Sequence, residues 1–164
     1  MLKEKIQKDL NEALKSGDSQ KRLVLGMVVT EFKNREIAKR TQLAKTISDI
    51  GELEKQSQLN DEETIEVLAR EVKKRKEAIE QFVTGNRQDL AEREKTEIGI
   101  ISDYLPQQLS EEEVEKIVKT TISELGAVTQ KDFGKIVGLV MKRTKGQTDA
   151  ATISRLIKKV LGND

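Results

Sequence analysis

The chain contains a single proline, Pro106, within Tyr104-Leu105-Pro106-Gln107-Gln108-Leu109-Ser110. In a sequence whose patterning is otherwise helical from end to end, this residue constrains the fold most. Proline has no backbone N–H and pushes the residue before it out of helix geometry. A helix arriving from the N-terminal side should therefore end near Tyr104 or Leu105. Ser110 followed by Glu113 reads as a capping box, which opens a new helix at once. The expectation is an all-α chain: an N-terminal helical domain over 1–105 and a C-terminal three-helix domain over 106–164.

Apolar spacing fills in the helices. Leu2, Ile6, Leu10, Ala13 and Leu14 form a first stripe, closed by Gly17. Asp18 or Ser19 caps a second helix carrying Leu23, Val24, Met27, Val28 and Phe32 on one face. From Thr41 to Gln58 only Leu43, Ile47, Ile50 and Leu53 recur, so this stretch reads as a weaker helix or a loop with helical pieces. Asn60 with Glu63 starts a helix whose buried stripe should be Ile65, Leu68, Val72, Ile79 and Phe82, stopping at Gly85-Asn86. Leu90, Ala91, Ile98, Ile101 and Leu105 carry the next helix to the proline. Beyond it lie three short stripes. Val114 to Leu125 is closed by Gly126. Phe133 to Met141 is capped by Thr129 and ends at Gly146. Ile153 to Leu161 is capped by Thr148 or Asp149.

What the chain lacks bounds its chemistry. It has no cysteine and no histidine, which excludes disulfides, Cys/His metal sites and every mechanism built on a thiolate or an imidazole. A carboxylate or lysine could act only with a strongly shifted pKa, which needs burial. No catalytic residue, cofactor or metal is expected. Glu111-Glu112-Glu113 is explained by the positive end of a helix rather than by a metal. Thirty basic against 29 acidic residues leave a net charge of +1, so there is no global pull towards nucleic acid or membrane. No run is long enough to span a bilayer, and the charged N-terminus lacks an apolar signal core. A soluble cytoplasmic protein without a membrane partner is expected; oligomeric state is left open.

Several segments together resemble the GatB/YqeY family in its stand-alone YqeY form. They are Lys33-Asn34-Arg35-Glu36-Ile37, the run from Glu71 to Phe82, Arg87-Gln88-Asp89-Leu90-Ala91-Glu92, the stretch from Tyr104 to Glu113, Lys131-Asp132-Phe133-Gly134-Lys135-Ile136 and Lys145-Gly146. The resemblance implies the same two-part helical fold. It also implies a relation to the C-terminal tail of the amidotransferase B subunit, which contacts tRNA in an enzyme that amidates glutamate or aspartate on tRNA with glutamine as nitrogen donor. The B subunit's catalytic cradle has no counterpart here, so a carbon–nitrogen ligase activity would be inherited by resemblance alone. Two departures stand out. Lys145-Gly146-Gln147-Thr148-Asp149-Ala150 replaces a loop that in the family often reads Lys-Gly-Arg-Ala-Asp-Gly, and the 41–58 stretch is longer than the usual connection.

Between Lys131 and Asn163 eight basic residues face two acidic ones. Lys135, Lys142, Arg143, Lys145, Arg155, Lys158 and Lys159 are therefore candidate RNA-binding residues, because folded RNA is held largely through its phosphates and shape. The starts of the second and third C-terminal helices also offer free N–H groups to anions. The same residues would equally form a solvated face. Lys33, Asn34 and Arg35 are secondary candidates, with Asn34 read as a recognition residue or, in preference, a helix-end hydrogen bond. Lys73-Lys74-Arg75-Lys76 reads as an exposed zipper, with Glu71–Arg75, Lys73–Glu77 and Lys76–Glu80 paired. Glu31–Arg35 and Glu36–Arg40 read likewise. Gly134 and Gly138, one turn apart inside a helix, imply the close approach of a neighbouring helix or of a ligand backbone. The expected function is non-catalytic binding of tRNA or a tRNA-enzyme complex. The alternative is a protein-interaction module that never touches RNA.

Overall fold

A computed structural model describes residues 1–126 and 132–162. Thr129, the expected cap, and Lys131 lie outside them. All regular structure among the described residues is helical, and the chain divides into two compact units, Met1–Tyr104 and Leu105–Asp164.

The first unit holds α1 (Leu2–Ser16), α2 (Ser19–Leu43), α3 (Ile50–Ser57), α4 (Asp61–Thr84) and α5 (Gln88–Ser102). The α1–α2 corner follows from Gly17, whose φ of 76° suits a residue without a Cβ, and from Asp18, whose side chain accepts from the Lys21 N–H. The helix α2 packs against each of the other four, and α4 and α5 form the tightest pair. The core is built from Ile6, Val24, Leu25, Val28, Phe32, Leu68, Ala91 and Ile101. The expected α2 stripe is therefore partly wrong. Leu25 takes a core position, while Leu23 and Met27 are exposed, as is Leu14 of α1. Apolar residues occur on both faces of α2, so spacing alone cannot say which face is covered.

The 41–58 stretch resolves into the last turn of α2, a short turn, and α3 capped by Asp49, which accepts from the Glu52 N–H at 2.7 Å. On α4 the stripe is shifted as well. Leu68 is buried, but the other fully covered positions are Thr64, Val67, Glu71 and Arg75. The helix α5 ends at Ser102, and Tyr104 is buried with its hydroxyl donating to Asp9 at 2.6 Å.

The second unit is a three-helix bundle of α6 (Glu111–Leu125), α7 (Phe133–Thr144) and α8 (Ala150–Leu161), each packed on the other two. Its stripes are largely those read from the sequence, closing around Val114, Val118, Ile136, Val140, Ile153, Leu156 and Ile157. Ser110 and Glu113 form the expected capping box, Gly126 closes α6, and Asp149 caps α8 by accepting from Thr152 N–H at 2.8 Å. Lys145, with φ 44°, closes α7 one residue before Gly146.

Candidate nucleic-acid interface

The second unit is electrostatically two-sided. No acidic residue lies within α7 or α8, whereas α6 carries Glu111, Glu112, Glu113, Glu115 and Glu124. Half of the cations of α7 and α8 turn towards those carboxylates. Arg143 donates to Thr121 Oγ1 at 3.0 Å and pairs with Glu124. Arg155 pairs with Glu111, and Lys159 reaches Glu115 at 2.8 Å. The hydrogen bonds from Lys119 and Lys159 hold the Glu115 carboxyl down at about 2, so it stays ionised and offsets both.

The local excess of +6 read from the 131–163 window is thus diluted by acids that lie outside the window in sequence but beside it in space. Across 105–164, ten basic residues face eight acidic ones.

What remains uncompensated is narrower than the seven candidates. Lys135 and Lys142 are exposed on α7, and Lys158 is exposed on α8. These three make no ion pair among the described residues. Lys145 is engaged rather than free. Lys135 and Lys142 stand seven residues apart, about two turns or roughly 10 Å along the axis, on the side of α7 turned away from Ile136 and Val140.

Gly134 and Gly138 are exposed on that side too, and a Cβ added at either would meet nothing within 4 Å. The close helix approach expected for these glycines does not occur among the described residues. This side of α7 carries the two lysines, the open backbone of Gly134 and Gly138, and the half-buried Leu139. The α8 start is no open anion site, because the Asp149 carboxylate already occupies it.

The loop that departs from the family pattern serves another purpose. The Gln147 carbonyl accepts from Leu109 N–H at 2.8 Å, and the Gly146 carbonyl accepts from Gln108 Nε2 at 3.1 Å. Its carbonyls hold the Gln108-Leu109 segment, which follows Pro106.

On the first unit, Lys33, Asn34 and Arg35 lie in the middle of α2, nine residues or so before its end at Leu43. The helix-end reading of Asn34 fails, since its amide reaches Glu31 of the same helix at 3.4 Å. The pairs expected along α2 are also absent. Glu36 is taken by Lys3 and by the Leu59 N–H at 3.1 Å, leaving Arg35 and Arg40 without ion pairs among the described residues.

The largest surprise lies in the Lys73–Lys76 run. Lys73 pairs with Glu77 as expected, and Lys76–Glu80 does not form among the described residues. Arg75 and Glu71 are not on the surface at all, being 5% and 6% exposed. Arg75 bonds Glu71 at 2.8 Å and reaches Glu97 at 3.3 Å and Glu94 at 3.8 Å on α5. Burial pushes the Glu71 carboxyl up, but hydrogen bonds from Lys74 and Arg75 outweigh it and leave the pKa below the ordinary value. A carboxylate held ionised in this way is a poor proton shuttle near neutral pH. The i,i+4 spacing of Glu71 and Arg75 marked the pair, and nothing in the sequence marked its burial or its partners on α5.

The protein "Altered inheritance of mitochondria protein 41, mitochondrial" of Lachancea thermotolerans is 31% identical over 122 residues, covering 73% of this chain and 57% of that protein. The protein of the same name in Vanderwaltozyma polyspora is 28% identical over 141 residues, covering 80% and 66%. In Pyrenophora tritici-repentis it is 26% identical over 99 residues, covering 58% and 54%. The chain spans about half the length of several of the curated relatives it matches. Residues 3–161 match the family described as Yqey-like protein, so the two helical units and the segments flanking Pro106 belong to one family, and the chain is a member of the YqeY-like proteins, relatives of the amidotransferase B-subunit tail.

Proposed function

We propose that this chain is a non-catalytic accessory protein that binds RNA, with tRNA or a tRNA-enzyme complex as the ligand class, through the outer face of α7. The observation that carries the proposal is the pair Lys135 and Lys142, exposed, without an ion pair among the described residues and separated by the uncovered backbone of Gly138. Lysines on an open helix surface contact phosphate without reading sequence, and missing side chains let a ligand backbone come close. Lys158, exposed on α8, adds a third cation without an ion pair among the described residues. No histidine or cysteine is available for chemistry, and the buried carboxylate Glu71 is held as a structural anion.

The test is binding of unfractionated tRNA across a salt series. Each phosphate contact contributes about 0.7–0.9 to the slope of log affinity against log salt. The variant Lys135→Gln/Lys142→Gln should lower that slope by roughly 2 while keeping its helicity. Arg155→Gln/Lys159→Gln should change it by less than about 1, because their charges are already offset. If the first variant binds as the parent does, or the parent does not bind tRNA at low salt, the chain is better read as a protein-interaction module.

A further inference from the structure

The first unit carries a second surface that its own fold leaves unused. Opposite its core, α2 presents Leu23, Met27 and Ile37, which are 52%, 46% and 63% exposed. Thr30 and Asn34 occupy the intervening positions and Thr41 follows Ile37, all three exposed and uncharged. These six lie on one ridge at i, i+3 or i+4 spacing, about 27 Å long at 1.5 Å per residue. Single exposed apolar residues need no explanation, but an aligned set does. Gly26 sits beside Leu23 and Met27 with open space where a side chain would be, leaving a notch in the same surface. Along one edge run Arg22, Lys33 and Arg40, exposed and without ion pairs among the described residues.

We propose that this ridge docks an amphipathic helix of a partner protein, one with an apolar stripe and an acidic flank. The stripe would cover Leu23, Met27 and Ile37, Gly26 would admit a side chain of the partner, and its carboxylates would meet Arg22, Lys33 and Arg40. This is the helix-on-surface mode of recognition read by anchors one turn apart. A second copy of the chain is the poorer occupant. Twofold pairing of two ridges is either antiparallel, which brings the Arg22 end of one to the Arg40 end of the other, or parallel, which sets the three cations of one against the opposite edge of the other, where Glu31 is the one carboxylate that α2 has to offer. RNA is poorer too, since the ridge offers large aliphatic groups and no aromatic ring for a base to stack on.

The probe is a synthetic helical peptide of about five turns with leucines at every third or fourth position and glutamates on both flanks, compared with the same peptide carrying lysines. Binding to the full chain is read by fluorescence anisotropy. The parent protein should prefer the glutamate peptide at least tenfold. Met27→Ser/Ile37→Ser should weaken it at least tenfold, and Arg22→Glu/Lys33→Glu/Arg40→Glu should invert the preference. No preference in the parent, or a preference that survives the charge reversal, overturns the proposal. So does a parent dimer in sedimentation equilibrium that Met27→Ser/Ile37→Ser disperses, which would make the occupant a second copy. A tenfold loss of tRNA affinity in that same variant would likewise assign the ridge to nucleic acid.

Discussion

Removal of the Arg75 guanidinium should destabilise the first unit more than any surface change of equal size. Arg75 is 5% exposed and holds together Glu71 of its own helix and Glu94 and Glu97 of α5, at 2.8, 3.8 and 3.3 Å. The variant Arg75→Met keeps the length and packing of the stem but strands the carboxylates. Removing one member of a buried pair costs about 3–5 kcal/mol. Two features place this case at the lower end. Lys74 still reaches Glu71 at 2.7 Å, and the side chains of Glu94 and Glu97 remain 25% and 15% exposed. A loss of about 3 kcal/mol at neutral pH is therefore expected, equivalent to roughly 10 °C in the melting temperature of a chain this long.

The pH dependence carries a definite sign. Because the Glu71 pKa is lowered in the folded parent, its stabilising contribution is fully present above the ordinary value of 4.5 and is lost as pH falls through the folded value. In the variant, burial acts without Arg75 to oppose it, and protonation of Glu71 relieves a stranded charge. The difference between parent and variant should thus be largest at pH 7 and shrink at pH 4. Urea denaturation followed by circular dichroism at both values measures it. A loss below about 1 kcal/mol, or one equal at the two pH values, would show that the cluster behaves as a solvent-screened surface pair.

Two further outcomes follow from the bundle of the second unit. Gly134→Ala and Gly138→Ala should each stabilise that unit by up to about 1 kcal/mol, because each added Cβ meets open space; chemical denaturation reads the gain, and weakened tRNA binding in the more stable variants would support the bare face as a contact surface. A fragment beginning at Leu105 should fold alone with a cooperative thermal transition, since the stripes of α6, α7 and α8 close on one another and Gln108 and Leu109 are held by Gly146 and Gln147; a transition without cooperativity would refute it.

The second unit was legible from its sequence because the apolar residues of each helix there fall mainly on one side, Leu139 of α7 being the exception. Val114, Val118, Ile136, Val140, Ile153 and Leu156 follow the helical period, and Ser110, Gly126 and Asp149 punctuate it. The first unit was legible as helices but not as faces. In α2 the positions 23, 27 and 37 are as apolar as 24, 28 and 32, and only the packing of α1, α3, α4 and α5 decides which set is covered. In α4 the covered face runs through Glu71 and Arg75, which hydropathy assigns to solvent. A buried charge cluster conceals a core position from any reading based on apolar spacing, because its compensating partners, here Glu94 and Glu97, sit on another helix.

The charged sites misled for the same reason. Pairs four apart in sequence were the natural expectation, yet Glu36 pairs with Lys3 and bonds Leu59 N–H, both distant along the chain, leaving Arg40 exposed. In the second unit Arg143, Arg155 and Lys159 looked like part of one basic field until α6 brought Glu124, Glu111 and Glu115 beside them. A surface pair is worth only about 0.2–1 kcal/mol, too little to direct the fold, so helix packing decides which charges meet. Among the described residues that packing leaves Lys135, Lys142 and Lys158 without an ion pair in one unit, and Arg22, Lys33 and Arg40 without one beside an apolar ridge in the other. On the proposals above, the first set, beside Gly134 and Gly138, is offered to phosphate, and the second, beside Leu23, Met27 and Ile37, to a protein helix. On these proposals similar cations take different partners according to what lies next to them, which no count of lysines and arginines along the chain would separate.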